Sequence, residues 1–220
     1  MLANPPPQQQ APENTLQAPI TGGDSQDIEQ AIVARDLQGR SIHNDTVGPA
    51  GWTGETPEER EAFVKLLRPV DKVFLEKALP KFHVVTEDYA NVPLRQAFNW
   101  DEVASYLGTE LEGDWFIVAF RSVRKATADN KLLFEADAAA QREAIQSGGL
   151  LKYWYGDLND HRECLAMCIW VNQDYARKAT RKPLHLQAAR LAHVMYDTYN
   201  LERYSLVKKK GENFFHLQEL

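Results

Sequence analysis

Arg121 follows the apolar run WFIVAF from Trp115 to Phe120. Alternation along an extended chain puts it on the face of Trp115, Ile117 and Ala119. A guanidinium on such a face must either pair with a carboxylate, Glu202 or Glu135, or turn towards a ligand. Tyr153 and Tyr155 share one side of the segment LLKYWYG, with Trp154 on the other, and their hydroxyls can donate to a carbonyl. His185 falls in the first turn of a helix that opens at Pro183. The positive end of the helix dipole disfavours an imidazolium there, which leaves a neutral ring able to take or give a proton. Arg121, Tyr153, Tyr155 and His185 are therefore the expected catalytic groups. Trp115, Phe120, Trp154 and Trp170 would form aromatic walls, and Glu202 and Tyr204, on one face of the last long strand, a polar rim. Donors that polarise a carbonyl inside an apolar cavity suffice for a cyclisation, including a pericyclic [4+2] reaction. An isomerisation or dehydration also needs a base, for which His185 is the candidate.

Other chemistries find less support. Cys164 and Cys168 lie four apart, with no paired His or Cys to complete a tetrahedral set and no HExxH. Asp157, Asp160, His161 and Glu163 lack the spacing of a calcium loop. There is no GxGxxG and no GxxxxGK[ST] for a nucleotide, and no GxSxG elbow. Met167 and Ile169 flank Cys168, which points to burial rather than thiolate activation. No metal and no organic cofactor are expected. One alternative stays open, an acetyltransferase-like protein holding an acyl-CoA at Arg177, Lys178, Arg181 and Lys182, just ahead of a helix N-terminus. The stretch from Val171 to Pro183 nevertheless lacks the glycines that such a pyrophosphate loop uses. A non-enzymatic interaction protein is the other alternative.

The chain that carries these groups has 220 residues, 44% apolar and 10% aromatic, enough for a core of one ordinary domain. Its net charge of −6 argues against a general nucleic-acid partner. No apolar run approaches a membrane span, and Met1 to Gln10 has neither a basic start nor an apolar stretch of the secretory kind. A cytoplasmic protein is expected, with a hydrophobic small molecule as partner and neither nucleic acid nor membrane.

Residues 1–25, rich in Pro and Gln, read as a flexible tail. Residues 26–110 read as a helical and loop extension. Thr56 caps a helix that starts at Pro57, a second helix runs over Val70 to Leu79, and Asn99 caps a third over Trp100 to Leu107 with Glu102 as its reciprocal partner. Residues 111–220 form an α+β core: a strand at Trp115 to Val123, a helix at Leu133 to Ser147 stopped by Gly148-Gly149, and strands at Leu150 to Gly156 and Cys164 to Val171. A helix from Pro183 follows, whose stripe reaches Tyr199, then a strand at Glu202 to Lys208 and an edge hairpin near Asn213 to Leu217. The order βαββαβ makes a ferredoxin-like antiparallel sheet with helices on one face. The other face must be covered by the N-terminal helices, a second subunit or a ligand.

The pieces FRSVRK at Phe120 to Lys125, SGGLLKYWYG at Ser147 to Gly156, CIW at Cys168 to Trp170, PLHLQAARLA from Pro183 and YDTYNLERYSL ending at Leu206 resemble an uncharacterised family of fungal proteins. The resemblance implies a lineage and no activity. The layout from CIW through Pro183, His185 and ERY is more loosely similar to the small monooxygenase-like dimeric α+β barrels. That likeness implies a homodimer whose two sheets close around an apolar cavity, and work on aromatic small molecules without metal or cofactor. Taken together, these readings favour a cofactor-independent enzyme of fungal secondary metabolism, a cyclase or isomerase.

Overall fold

The computed structural model describes residues 57–220. The Pro- and Gln-rich tail, the stretch up to Gly54 and the Thr56 cap lie outside the described residues. Four short helices come first: α1 (Pro57–Leu66), α2 (Pro69–Val73), α3 (Leu94–Ala97) and α4 (Trp100–Ser105). A π turn at Phe74–Ala78 and a 3-10 turn at Leu79–Lys81 prolong α2. The core follows as β1 (Gly113–Arg124), α5 (Asn130–Ser147), β2 (Leu150–Tyr155), β3 (Glu163–Trp170), α6 (Gln173–Thr180), α7 (Pro183–Met195), β4 (Tyr196–Lys208) and β5 (His216–Glu219).

The sheet order is β2-β3-β1-β4-β5, antiparallel throughout. Without the short edge strand β5 this is the ferredoxin-like βαββαβ arrangement. Local chemistry sets the boundaries. The Asp129 side chain accepts from the Leu132 N–H and starts α5, and Asn172 does the same for α6 through the N–H groups of Asp174 and Tyr175. Gly148 and Gly149 end α5 with φ of 81° and 77°. The Tyr175 ring lies where a Cβ on Gly149 would stand, so the turn into β2 needs glycine on both counts. Among the described residues no helix is long and apolar enough to cross a membrane.

The two faces of the sheet are covered differently. Trp115, Ile117, Ala119, Leu165, Met167, Ile169 and Leu206 are buried beneath Phe74, Phe82, Phe98 and Trp100 of the N-terminal helices and Phe215 before β5. Trp115 packs at 4.3 Å from the Phe74 ring and Phe98 at 4.8 Å edge-on to Trp154. One polar group pins this layer to the sheet. Asp71, fully buried, accepts from Trp115 Nε1 at 2.9 Å and from Arg68 Nε and Nη2, each at 2.9 Å. Arg68 also reaches the Asp114 carboxylate at 2.8 Å. The chain's own helices thus cover this face, and no second subunit is needed for it.

Two boundaries differ from the sequence expectation. The helix stripe running on to Tyr199 breaks at Met195, and Tyr196 already pairs with Arg124 of β1. The outer half of β1 has backbone groups to satisfy on that side, and a β-prone Tyr-Asp-Thr-Tyr segment satisfies them better than another helical turn would. Asn99 does not cap α4. Its Oδ1 accepts from the His83 N–H, and its Nδ2 donates to Lys81 O and Glu102 Oε2, so it ties α4 to the preceding loop.

Removing the buried acceptor should be costly. Asp71→Ala leaves the Trp115 indole N–H without a partner in an apolar layer. The expected loss is about 2–3 kcal/mol, read as a lower urea midpoint at unchanged slope.

Candidate functional site

The opposite face of the sheet floors a cavity of about 630 Å³. Its rows follow from the strand register. Tyr153, Cys168, Val118 and Arg203 lie abreast across β2, β3, β1 and β4, and Tyr155, Ala166, Phe120 and Leu201 form the next row. Beyond them Cys164, Ser122 and Tyr199 lie abreast. Phe116, Trp170 and Leu150 close one end, and Arg124 with Tyr196 stands at the other.

The roof is α5, α6 and α7, and it is built from alanine: Ala136, Ala140 and Ala144 on α5, Ala176 on α6, and Ala188, Ala189 and Ala192 on α7. These short side chains do not reach down to fill the space over the floor, and a void remains. Burial records the asymmetry residue by residue. Along β1, Ile117 and Ala119 are buried on the extension side, while Val118, Phe120 and Ser122 are half-buried on the cavity side. β3 repeats the pattern, with Leu165, Met167 and Ile169 buried and Ala166 and Cys168 half-buried.

Of the residues expected from sequence, Tyr153, Tyr155, His185, Phe120 and Trp170 line this cavity. The other five lie on the opposite face, and the reason is strand alternation combined with the extension. Arg121 donates to Glu202 Oε1 at 2.7 Å and to the backbone oxygens of Tyr89, Ala90 and Val92. It clamps the loop ahead of α3 to the sheet. Tyr204 donates to Glu202 at 2.7 Å. Trp115 is held by Asp71, and Trp154 packs between Phe98 and Tyr89. Arg121, Glu202, Tyr204, Trp115 and Trp154 therefore hold the fold together away from the cavity.

The structure adds a group absent from the sequence reading, Asp137 of α5. The Tyr153 hydroxyl donates to both its oxygens, at 2.8 and 2.9 Å. Asp137 is itself exposed and lines the cavity. It lies one turn beyond Leu133, amid the stripe of Ala136, Ala140 and Ala144. A carboxylate amid the alanine stripe of this helix was the available signal. Burial, aided by the charge on Asp137, pushes the Tyr153 hydroxyl well above the usual phenol range. Burial also raises Cys168, Tyr196 and Tyr199, and the same carboxylate adds to each shift. At neutral pH these groups are a thiol and neutral phenols, donors rather than nucleophiles. Arg124, Arg177 and Arg203 bring positive charge to the lining from three different elements.

His185 is the third residue of α7. Its backbone N–H donates to Glu143 Oε2 at 3.0 Å, and its Nδ1 stands 3.5 Å from the same oxygen. Glu143 thus occupies the N-terminus of α7, the position that the acyl-CoA alternative reserves for a phosphate. Arg177 lies on α6 and lines the cavity, and Arg181 and Lys182 form the joint between α6 and α7. Burial lowers the His185 imidazole below its ordinary value, and Glu143 opposes that shift in part. Among the described residues no three His, Cys, Asp or Glu side chains are grouped to hold a metal ion.

A sequence profile described as PB2B2.08-like matches residues 55–219. The UPF0643 protein PB2B2.08 of Schizosaccharomyces pombe is 32% identical over 160 residues, covering 64% of this chain and 71% of that protein. Among solved structures, SnoaB, a cofactor-independent oxygenase from Streptomyces nogalater, aligns with a TM-score of 0.35 at 14% identity over 41% of this chain and 90% of its own. A Shewanella oneidensis protein aligns with a TM-score of 0.38 at 12% identity over 43% and 92%.

The His185 shift has a testable sign. The folded-state pKa lies below the unfolded one, so the unfolded chain binds the proton more readily and stability falls as pH drops from 6.5 through the folded value. Glu143→Gln keeps an acceptor for the His185 N–H but removes the attracting charge. The imidazole should then titrate at still lower pH, followed through its NMR ring resonances.

Proposed function

The chain belongs to the PB2B2.08-like family, and we propose that it is a cofactor-independent enzyme that encloses a hydrophobic small molecule between its sheet and α5–α7 and rearranges it. The observation that carries this reading is the cavity. Its volume of about 630 Å³ falls within the range of roughly 300–1,000 Å³ typical of small-molecule sites. Its walls are alanine, valine and aromatic rings, with a few polar groups at fixed places, a combination that selects one folded conformer of an apolar substrate.

The chemistry these residues supply is proton transfer and hydrogen bonding. Neutral phenols at Tyr196 and Tyr199 and the guanidinium of Arg203 donate to an oxygen on which charge develops, and Asp137 and His185 accept protons. A reaction of that kind conserves mass: an isomerisation, or a cyclisation of a bound chain such as those of secondary metabolism. Arg121 takes no part, because its donors are spent on Glu202 and on backbone oxygens.

The test uses the native protein and a variant with a filled cavity. Ala140→Phe combined with Ala188→Phe puts two rings into the void, and its cooperative unfolding shows that the fold persists. Freshly purified protein should carry or be stabilised by an apolar ligand in native mass spectrometry and thermal-shift assays. Incubation with an apolar extract should convert a compound into an isomer of equal mass, and the filled variant should do neither. A protein that retains no apolar molecule, is stabilised by none and converts none would sink the reading.

A further inference from the structure

The cavity is apolar at one end and polar at the other. The residues of β1 that face it are, in order, Phe116, Val118, Phe120, Ser122 and Arg124. Trp170 and Leu150 continue the Phe116 row at the apolar end. At the other end Cys164 and Tyr199 flank Ser122, and Tyr196 flanks Arg124. At about 3.4 Å per residue of strand, the Cα atoms of Phe116 and Arg124 stand roughly 27 Å apart.

A register shift in β4 builds the polar end. Val123 pairs with Thr198 but Arg124 pairs with Tyr196, so Asp197 is an extra residue in β4. Strict alternation would turn Tyr196 and Tyr199 to opposite faces. With the bulge both line the cavity, their rings 5.6 Å apart, and Tyr196 stands beside Arg124. Burial keeps the Tyr196 hydroxyl protonated, and the Arg124 charge offsets part of that shift.

The Arg124 guanidinium has donors to spare. Its Nη1 donates to Asn130 Oδ1 at 3.0 Å, and its Nε is buried with no hydrogen-bond partner. Among the described residues no carboxylate pairs with it, and the cavity's own Asp137 is bonded to Tyr153 on β2. Arg121, on the sealed face of the same strand, is the opposite case, with Glu202 and three backbone oxygens as acceptors. A half-buried cation without a counter-charge is costly to the fold and is relieved by an anion. The hydroxyls of Ser122 and Tyr196 likewise donate to no protein group among the described residues.

We propose, resting on the cavity reading above, that the substrate is an apolar carboxylic acid whose carboxylate sits on the Arg124 guanidinium and the Ser122 and Tyr196 hydroxyls. Its skeleton lies along β1, over Phe120 and Val118 towards Phe116. A guanidinium offers a carboxylate two parallel N–H donors, and its single charge balances one carboxylate. A phosphate monoester would bring about two charges to that one cation. The head group thereby fixes which carbons of the skeleton lie under the alanine roof.

Dodecanoic acid and its methyl ester share a skeleton and differ in charge at the head. Each is titrated into the full-length protein at about pH 8, where the acid is ionised. Binding is read by calorimetry and by displacement of the neutral dye Nile red. The wild-type protein should bind the acid roughly 10- to 100-fold more tightly than the ester. Arg124→Gln keeps a polar group beside Asn130. It should lower the acid to the affinity of the ester and leave the ester unchanged. Tyr196→Phe should reduce the preference by itself, which keeps the test decisive should Arg124→Gln fail to fold. Equal binding of acid and ester by the wild-type protein, or an acid preference that every folded variant retains in full, overturns the carboxylate site and leaves the cavity reading standing. Binding of neither probe, nor of the dye or any other apolar ligand, overturns both.

Discussion

The structure depends on the need to cover both faces of one antiparallel sheet. Every strand of the ferredoxin-like core carries large apolar side chains on its two sides, and neither side survives contact with water. The chain solves this asymmetrically. One face is sealed by its own N-terminal helices with aromatic rings in close contact, pinned through Asp71 to Trp115 and Arg68. The other is roofed by helices that present a stripe of alanines inward. That second layer keeps a smaller buried cluster of its own, with Phe116, Ile145, Leu150 and Trp170, beside the cavity.

That division of labour explains the placement of charge. On the sealed face, Arg121, Glu202 and Tyr204 form a closed set of hydrogen bonds that also holds the loop before α3. Buried polar groups there are satisfied by partners from the same chain, as a close-packed layer demands. On the open face, Asp137, Tyr153, His185 and the three arginines stand around a space. Burial keeps the phenols and the Cys168 thiol protonated and the imidazole neutral. The cavity thus offers neutral hydrogen-bond donors and the Asp137 carboxylate around an apolar space, in keeping with the proposed proton transfer.

Residues from Phe63 to Leu107 cover the sheet face opposite α5–α7. The cavity consequently lies within one chain, between the sheet and its own helices.

The sequence by itself determined the elements and their order. The β-branched and aromatic run WFIVAF and the segment LLKYWYG mark strands, the glycine pair marks the end of α5, and Pro183 marks the start of α7, all through local sterics and composition. It also determined which side chains share a face: Arg121 with Trp115, and Tyr153 with Tyr155. It could not say which face would be open, because both are apolar and period-two alternation is symmetric between them. Trp115, Trp154, Arg121, Glu202 and Tyr204 looked like cavity residues for that reason and proved to be the sealed side. Asp137 was hidden in an Ala-rich helix, because its meaning comes from Tyr153, sixteen residues on. The N-terminal half of β4 was read as helix, since Met195 and Tyr199 continue a helical spacing until pairing with β1 competes with it. Only the tertiary structure, by deciding which sheet face meets the bulky N-terminal helices and which meets the alanines of α5–α7, separated the core from the site.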